Sequence, residues 1–164
     1  MPPIDPLPFH IRLPGKETID FKGIREVSYK VEGLLHLHDD ALEFEWTATE
    51  KTERVGVTGI GTVVDESPIG KLEVPAGWIL EVQLRGRLLP RMRLRARRLD
   101  AFEDMPGAKA GVLTLRVRRR FRPQAEAMVA AIEEARDTAP LPPLETQPQI
   151  DTDDMPRLSG DWQR

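Results

Sequence analysis

The chain has no cysteine, which excludes disulfides, thiolate metal sites and thiol nucleophiles. Aromatic residues are scarce, with five phenylalanines, three tryptophans and one tyrosine in 164 residues. The core is therefore expected to be mostly Val, Leu, Ile, Met and Ala. Serine occurs only at Ser28, Ser67 and Ser159, and histidine only at His10, His36 and His38, with no serine–histidine–acid pattern among them. No apolar run approaches the roughly 18 residues of a membrane span. The start, MPPIDPLPFH, has neither the charged nor the apolar region of a signal peptide. A cytoplasmic location is expected, and no motif calls for a cofactor.

What is present is charge, unevenly spread. The net charge of -3 combines three different segments. Residues 1–84 hold 8 basic and 15 acidic side chains, residues 85–122 hold 13 and 3, and residues 123–164 hold 3 and 9. Local potential of this kind steers partners more than the total does.

Hydrophobic periodicity places the elements. Residues 1–25 are expected to form a proline-rich arm with one short strand at Phe9–Leu13. Leu35 and Leu37 alternate with His36 and His38; after Asp39-Asp40, Leu42, Phe44 and Trp46 alternate with Glu43 and Glu45. Two such runs around a two-residue turn predict a hairpin. Arg54–Val64 is expected to be a strand whose glycines mark a bulge, Lys71–Val74 a short strand, and Asp100–Met105 another. Trp78–Arg85 is expected to be a strand with Leu80, Val82 and Leu84 inward. Leu89–Leu99 and Gly111–Arg120 are predicted as the last two long strands. The period then changes: Ala125, Met128, Val129 and Ile132 recur at three- and four-residue spacing, which predicts a helix over 123–137. Residues 138–164 are acidic and proline-rich and read as a disordered or docked tail.

Seven or so strands followed by one helix, with VEGLLHL running into ALEFEW, then KLEVPAGWILEVQLRG, and MPGAKAGVLTLRVRR leading into RPQAEAMVAAIEEA, resembles the bacterial pleckstrin-homology-like superfamily over residues 26–136. The resemblance implies a mainly β fold: a barrel of about seven antiparallel strands in two near-orthogonal sheets, capped by one C-terminal α-helix. Domains of this kind bind phosphoinositide headgroups, peptides or proteins, or act as scaffolds, so the fold does not choose a function. Trp78 departs from the common arrangement, in which a tryptophan lies in the closing helix.

The stretch RMRLRARR, residues 91–98, carries the main candidate site. On a helix Arg91, Arg93, Arg95 and Arg97 would scatter around the cylinder. On a strand they share one face, with Met92, Leu94 and Ala96 on the other. Arg116, Arg118 and Arg120 are expected to join that face from the following strand. The expected function is a non-enzymatic interaction or adaptor module whose basic face binds an acidic protein segment. One candidate is the chain's own tail, with Glu145, Asp151, Asp153, Asp154 and Asp161 over the arginines and Trp162 as an anchor. Anionic lipid or nucleic acid on the same arginines is the alternative, and an enzyme of unknown class the third reading. Against phosphoinositides, the superfamily pocket has a basic loop between its first two strands, and the turn read as its equivalent here is Asp39-Asp40. Against nucleic acid, the basic strands lack stacking aromatics apart from Phe121. A homo-oligomer is compatible with the sequence. His36 and His38 share a strand face but lack an evident third metal ligand. GVTGIGT, residues 56–62, lacks the lysine and following helix of a phosphate loop.

Overall fold

The computed structural model describes residues 4–57 and 59–140. The described residues form eight antiparallel strands and one long helix: β1 (Leu7–Asp20), β2 (Gly23–His38), β3 (Ala41–Gly56), β4 (Gly59–Glu66), β5 (Gly70–Pro75), β6 (Ile79–Arg85), β7 (Arg91–Ala96), β8 (Val112–Arg116) and α1 (Arg122–Thr138). The strand path is β4-β3-β2-β1-β8-β7-β6, with β5 also paired to β3. The path is open rather than a closed barrel.

Long β3 serves two neighbours on one edge. Ala41–Trp46 pairs with β5, and Thr49–Gly56 pairs with β4. Between them Ser67 bridges the gap, its N–H donating to the Ala48 carbonyl at 2.8 Å and its hydroxyl accepting from the Ala48 N–H at 3.0 Å. The expected hairpin about Asp39-Asp40 is β2–β3, in register from His38↔Ala41 to Ile24↔Val55. That turn is not the one between the first two strands. Phe21-Lys22 joins β1 to β2.

The half of the sheet nearest α1 is backed by the core. Leu35, Leu42, Phe44, Ile79, Met92, Leu94, Leu113 and Leu115 belong to one buried cluster with Met128 and Ile132 of the helix. Three phenylalanines meet in it: Phe44 meets Phe9 edge-on at 6.3 Å and Phe102 at 6.0 Å. Gly33 makes this arrangement possible, because a Cβ there would lie 2.6 Å from the Phe9 ring and collide with the Glu45 carbonyl. Pro123 enters the first turn of α1, where its missing N–H costs nothing. Arg122 ties that end down by donating to the Gly86 carbonyl at 2.7 Å and pairing with Glu126 at 2.8 Å.

Several expectations change. The strand at Phe9–Leu13 is part of 14-residue β1, which buries Leu7, Phe9 and Ile11. Arg54–Val64 is not one bulged strand: β3 ends at Gly56, and Gly56 pairs with Gly59 across a turn into β4. In β6 a register shift between Ile79 and Glu81 turns Leu80 outward and Ile79 inward. Asp100–Met105 is a run of turns rather than a strand, held down by buried Phe102 and Met105. β8 is only five residues long, ending at Arg116. Beyond it the Val117 N–H bonds to the Pro90 carbonyl at 2.9 Å and a 3-10 turn at Arg119–Phe121 leads into α1.

Candidate functional site: an arginine-rich sheet face

In β7 the alternation separates charge from core. Met92, Leu94 and Ala96 are buried, and Arg91, Arg93 and Arg95 are exposed. Pairing then decides which charges meet. Arg91 lies directly opposite Arg85 of β6 on one side and Arg116 of β8 on the other. Arg93 sits between Gln83 and Thr114, and Arg95 between Glu81 and Val112. One row is thus arginine on three adjacent strands, and the next two rows are mixed. Among the described residues none of Arg85, Arg91, Arg93, Arg95 and Arg116 forms an ion pair.

The row continues across the β8–β1 junction, where His10↔Arg116 is the one paired position. His10 faces Glu32 on β2. Burial, Arg116 and then Arg118 hold the His10 imidazole below its ordinary value of 6.5. A depression of about 430 Å³ flanks the junction and is lined by Arg12, Tyr29, Lys30, Lys51 and Arg116 among others. Lys30 pairs with Glu32 at 2.8 Å and Lys51 pairs with Glu53, whereas Arg12 has no ion pair among the described residues. The Lys30 ammonium holds the Glu32 carboxyl below the usual range.

The remaining predicted arginines lie beyond the ends of β7 and β8. Arg97 follows the end of β7, its N–H bonded to the Trp78 carbonyl at 2.8 Å. Its neighbour Arg98 stacks 4.7 Å from the Trp78 ring and holds Asp100 through two hydrogen bonds of 3.0 and 2.8 Å, which lower the Asp100 pKa. Arg118 and Arg120 do not join the β8 face, because the strand stops at Arg116. Arg118 reaches Glu32 at 3.8 Å, and Arg120 lies over the Phe121 ring at 4.6 Å. Trp162 and the acidic tail residues 141–164 lie outside the described residues.

Sequence reasoning missed Arg85, Arg12 and His10 as parts of the basic surface. Alternation in β6 marks Arg85 as outward, but only the pairing register places it against Arg91. His36 and His38 stack at 5.9 Å and approach Glu45 and Glu43 at 3.8 and 3.9 Å. No group of three or more histidine and acidic side chains suited to a metal occurs among the described residues. Lys71, 3.0 Å from Glu43, holds that carboxyl below its ordinary range, the opposite of what a general acid requires. No helix among the described residues is long and apolar enough to cross a membrane.

No family model matches the chain, and neither the curated proteins nor the solved structures include a match to it.

Proposed function

We propose that the chain is a pleckstrin-homology-like interaction module without catalytic chemistry, and that its arginine face docks an acidic protein segment. The fold part of this reading is supported by strand order. With β4 set aside, β5-β3-β2-β1-β8-β7-β6 is a meander of two halves, joined at β1–β8 and packed against one C-terminal helix. Two near-orthogonal sheets are the arrangement this reading expects.

The docking part rests on one observation: Arg85, Arg91 and Arg116 stand in register without an acidic ion-pair partner among the described residues. Like charges directly opposite are destabilising, so the row costs the free protein stability and favours an anion laid across it. A carboxylate-bearing segment fits better than a nucleic acid, because no exposed aromatic is interleaved on β6, β7 or β8 for base stacking.

Anisotropy of a labelled oligoglutamate peptide tests the reading, with a single-stranded oligonucleotide as the competing arm. Arg91→Glu/Arg116→Glu should weaken peptide binding at least tenfold, and binding should fall steeply with salt. Equal affinity of variant and parent would remove the face from the account. Removal of residues 141–164 should strengthen peptide binding if the chain's own tail is the occupant, and leave it unchanged if the segment comes from another protein.

A second reading, anionic lipid, has its own support at the far end of the sheet. The β1–β2 turn is Phe21-Lys22, with Phe21 92% exposed. Behind it Arg25 lies opposite Arg54 beside a concavity of about 610 Å³ lined by Gly23, Gly56, Gly59 and Gly61. Sedimentation with phosphatidylserine vesicles that survives Arg91→Glu/Arg116→Glu but not Arg25→Glu/Arg54→Glu would favour this reading.

A further inference from the structure

The outer half of β1–β4 carries a feature that the docking face does not use. Ile19, Ile24, Val55 and Ile60 are consecutive cross-strand partners, so four aliphatic side chains form one row on one face. They are 72%, 44%, 50% and 79% exposed. The row ends at β4, the terminal strand of the path. All eight β4 residues are exposed, and Gly59–Val64 contains no charge and no proline. Exposed edges are normally blunted by charge, proline or bulges, and on β4 only Asp65 and Glu66 at its C-terminal end do so.

We propose that β4 pairs antiparallel with β4 of a second copy of this chain, about a two-fold axis at Thr62. Gly56 and Gly59 close a short hairpin. Counting outward from a hydrogen-bonded closing pair, Ile60, Thr62 and Val64 turn their N–H and C=O away from β3. With Thr62 opposite Thr62 of the partner subunit, outward groups meet outward groups in about six backbone hydrogen bonds. Ile60 then faces Val64 of the partner subunit, extending the aliphatic row across the junction. Gly61 faces Val63 of the partner subunit, and nothing lies within 4 Å of a Cβ built at Gly61, so the valine has room. Asp65 falls opposite Gly59 of the partner subunit, and the two acidic ends stay apart. Moving the axis one residue, to Val63, sets Ile60 against Glu66 of the partner subunit and loses this match. The sequence of the edge is complementary to itself, which is why a second copy rather than a foreign strand is its occupant.

The absence of native cysteine gives a clean test. Thr62→Cys introduces the only thiol, and a hydrogen-bonded antiparallel pair has a Cα separation of about 5.5 Å, within disulfide range. Mild oxidation with oxidised glutathione should convert most of this variant to a covalent dimer. Glu66→Cys, displaced from its mate by about 26 Å at ~3.3 Å per residue, should stay monomeric. No cross-linking at Thr62→Cys, or equal cross-linking of both, overturns the proposal. Sedimentation equilibrium should show a reversible dimer for the unmodified chain, lost in Ile60→Lys and recovered in Ile60→Lys/Val64→Glu. A strictly monomeric parent chain would likewise overturn it.

Discussion

Arg91→Glu should make the protein more stable while weakening its docking face. Arg91 has Arg85 and Arg116 as its direct cross-strand partners, on strands about 4.8 Å apart. The substitution removes two repulsive pairs and creates two attractive ones. Each change is worth a few tenths of a kcal/mol to about 1 kcal/mol, with solvent screening keeping exposed pairs near the lower value. The sum is about 1 kcal/mol of added stability, which raises the thermal midpoint by about 2–4 °C for a chain of this size. Arg91→Gln, which removes the repulsion without adding attraction, should give about half the effect and controls for the lost cover of the arginine stem. Differential scanning calorimetry at low salt is the assay. In ~1 M salt, where the screening length is about 3 Å, most of the gain should vanish. A lowered or unchanged midpoint at low salt would show that the row is not electrostatically strained, and the argument for an anionic partner would go with it.

Three further outcomes follow from the structure. His10 has a folded pKa below its ordinary 6.5, so just below that value the unfolded chain binds the proton more readily; stability should fall as pH drops through that window, by urea midpoint, and His10→Gln should flatten this segment of the curve. Glu32, Glu43 and Asp100 are also lowered, and the stability they contribute is lost further down, in the carboxylate range. Ile132→Ala deletes a fully buried contact of α1 and should cost about 2–5 kcal/mol by denaturant titration; a loss under 1 kcal/mol would mean that the helix is not essential to the core. Gly33→Ala forces a methyl against the Phe9 ring and the Glu45 carbonyl and should cost about 1–3 kcal/mol, whereas Gly61→Ala, with open space around it, should leave the thermal midpoint of the monomer nearly unchanged.

The parts legible in the sequence were those with one wet and one dry face. β7 alternates cleanly because Met92, Leu94 and Ala96 go to the core, and the α1 stripe was visible because Ala125, Met128 and Ile132 are buried under the same rule. The outer half of β1–β4 was not legible: both faces are largely exposed, so no burial period marks strands or turns, and the Gly56–Gly59 closure passed for a bulge. In β6 the alternation pointed the wrong way at Leu80 because a one-residue shift flips the side chains before it. Phe102 and Met105 looked like a strand because burial and strand formation give the same short apolar signal. Arg118 and Arg120 continued the written alternation after the ladder had stopped. Arg85 and His10 were invisible as site members because adjacency on a sheet depends on strand order, and a single strand's pattern does not contain it.

The two halves of the sheet differ in what they can tolerate. Behind the arginine row, Met92, Leu94, Leu113 and Leu115 are fully buried, each worth about 1.5–3 kcal/mol. That reserve exceeds the repulsion along Arg85, Arg91 and Arg116 several times over, so like charges can persist there without unfolding the strands. The outer half has its own like-charge row, Glu17, Glu26 and Glu53, where Lys51 pairs with Glu53. Val27 is the one buried apolar side chain among the described residues of that half, so no comparable reserve stands behind it. Backbone pairing and the neighbouring aliphatic row must hold it, and both end abruptly at the free edge of β4. Extending that ladder and that row into a second copy supplies the missing contacts where the monomer is weakest. The same extension leaves the arginine face, on β6, β7 and β8, open to a different partner.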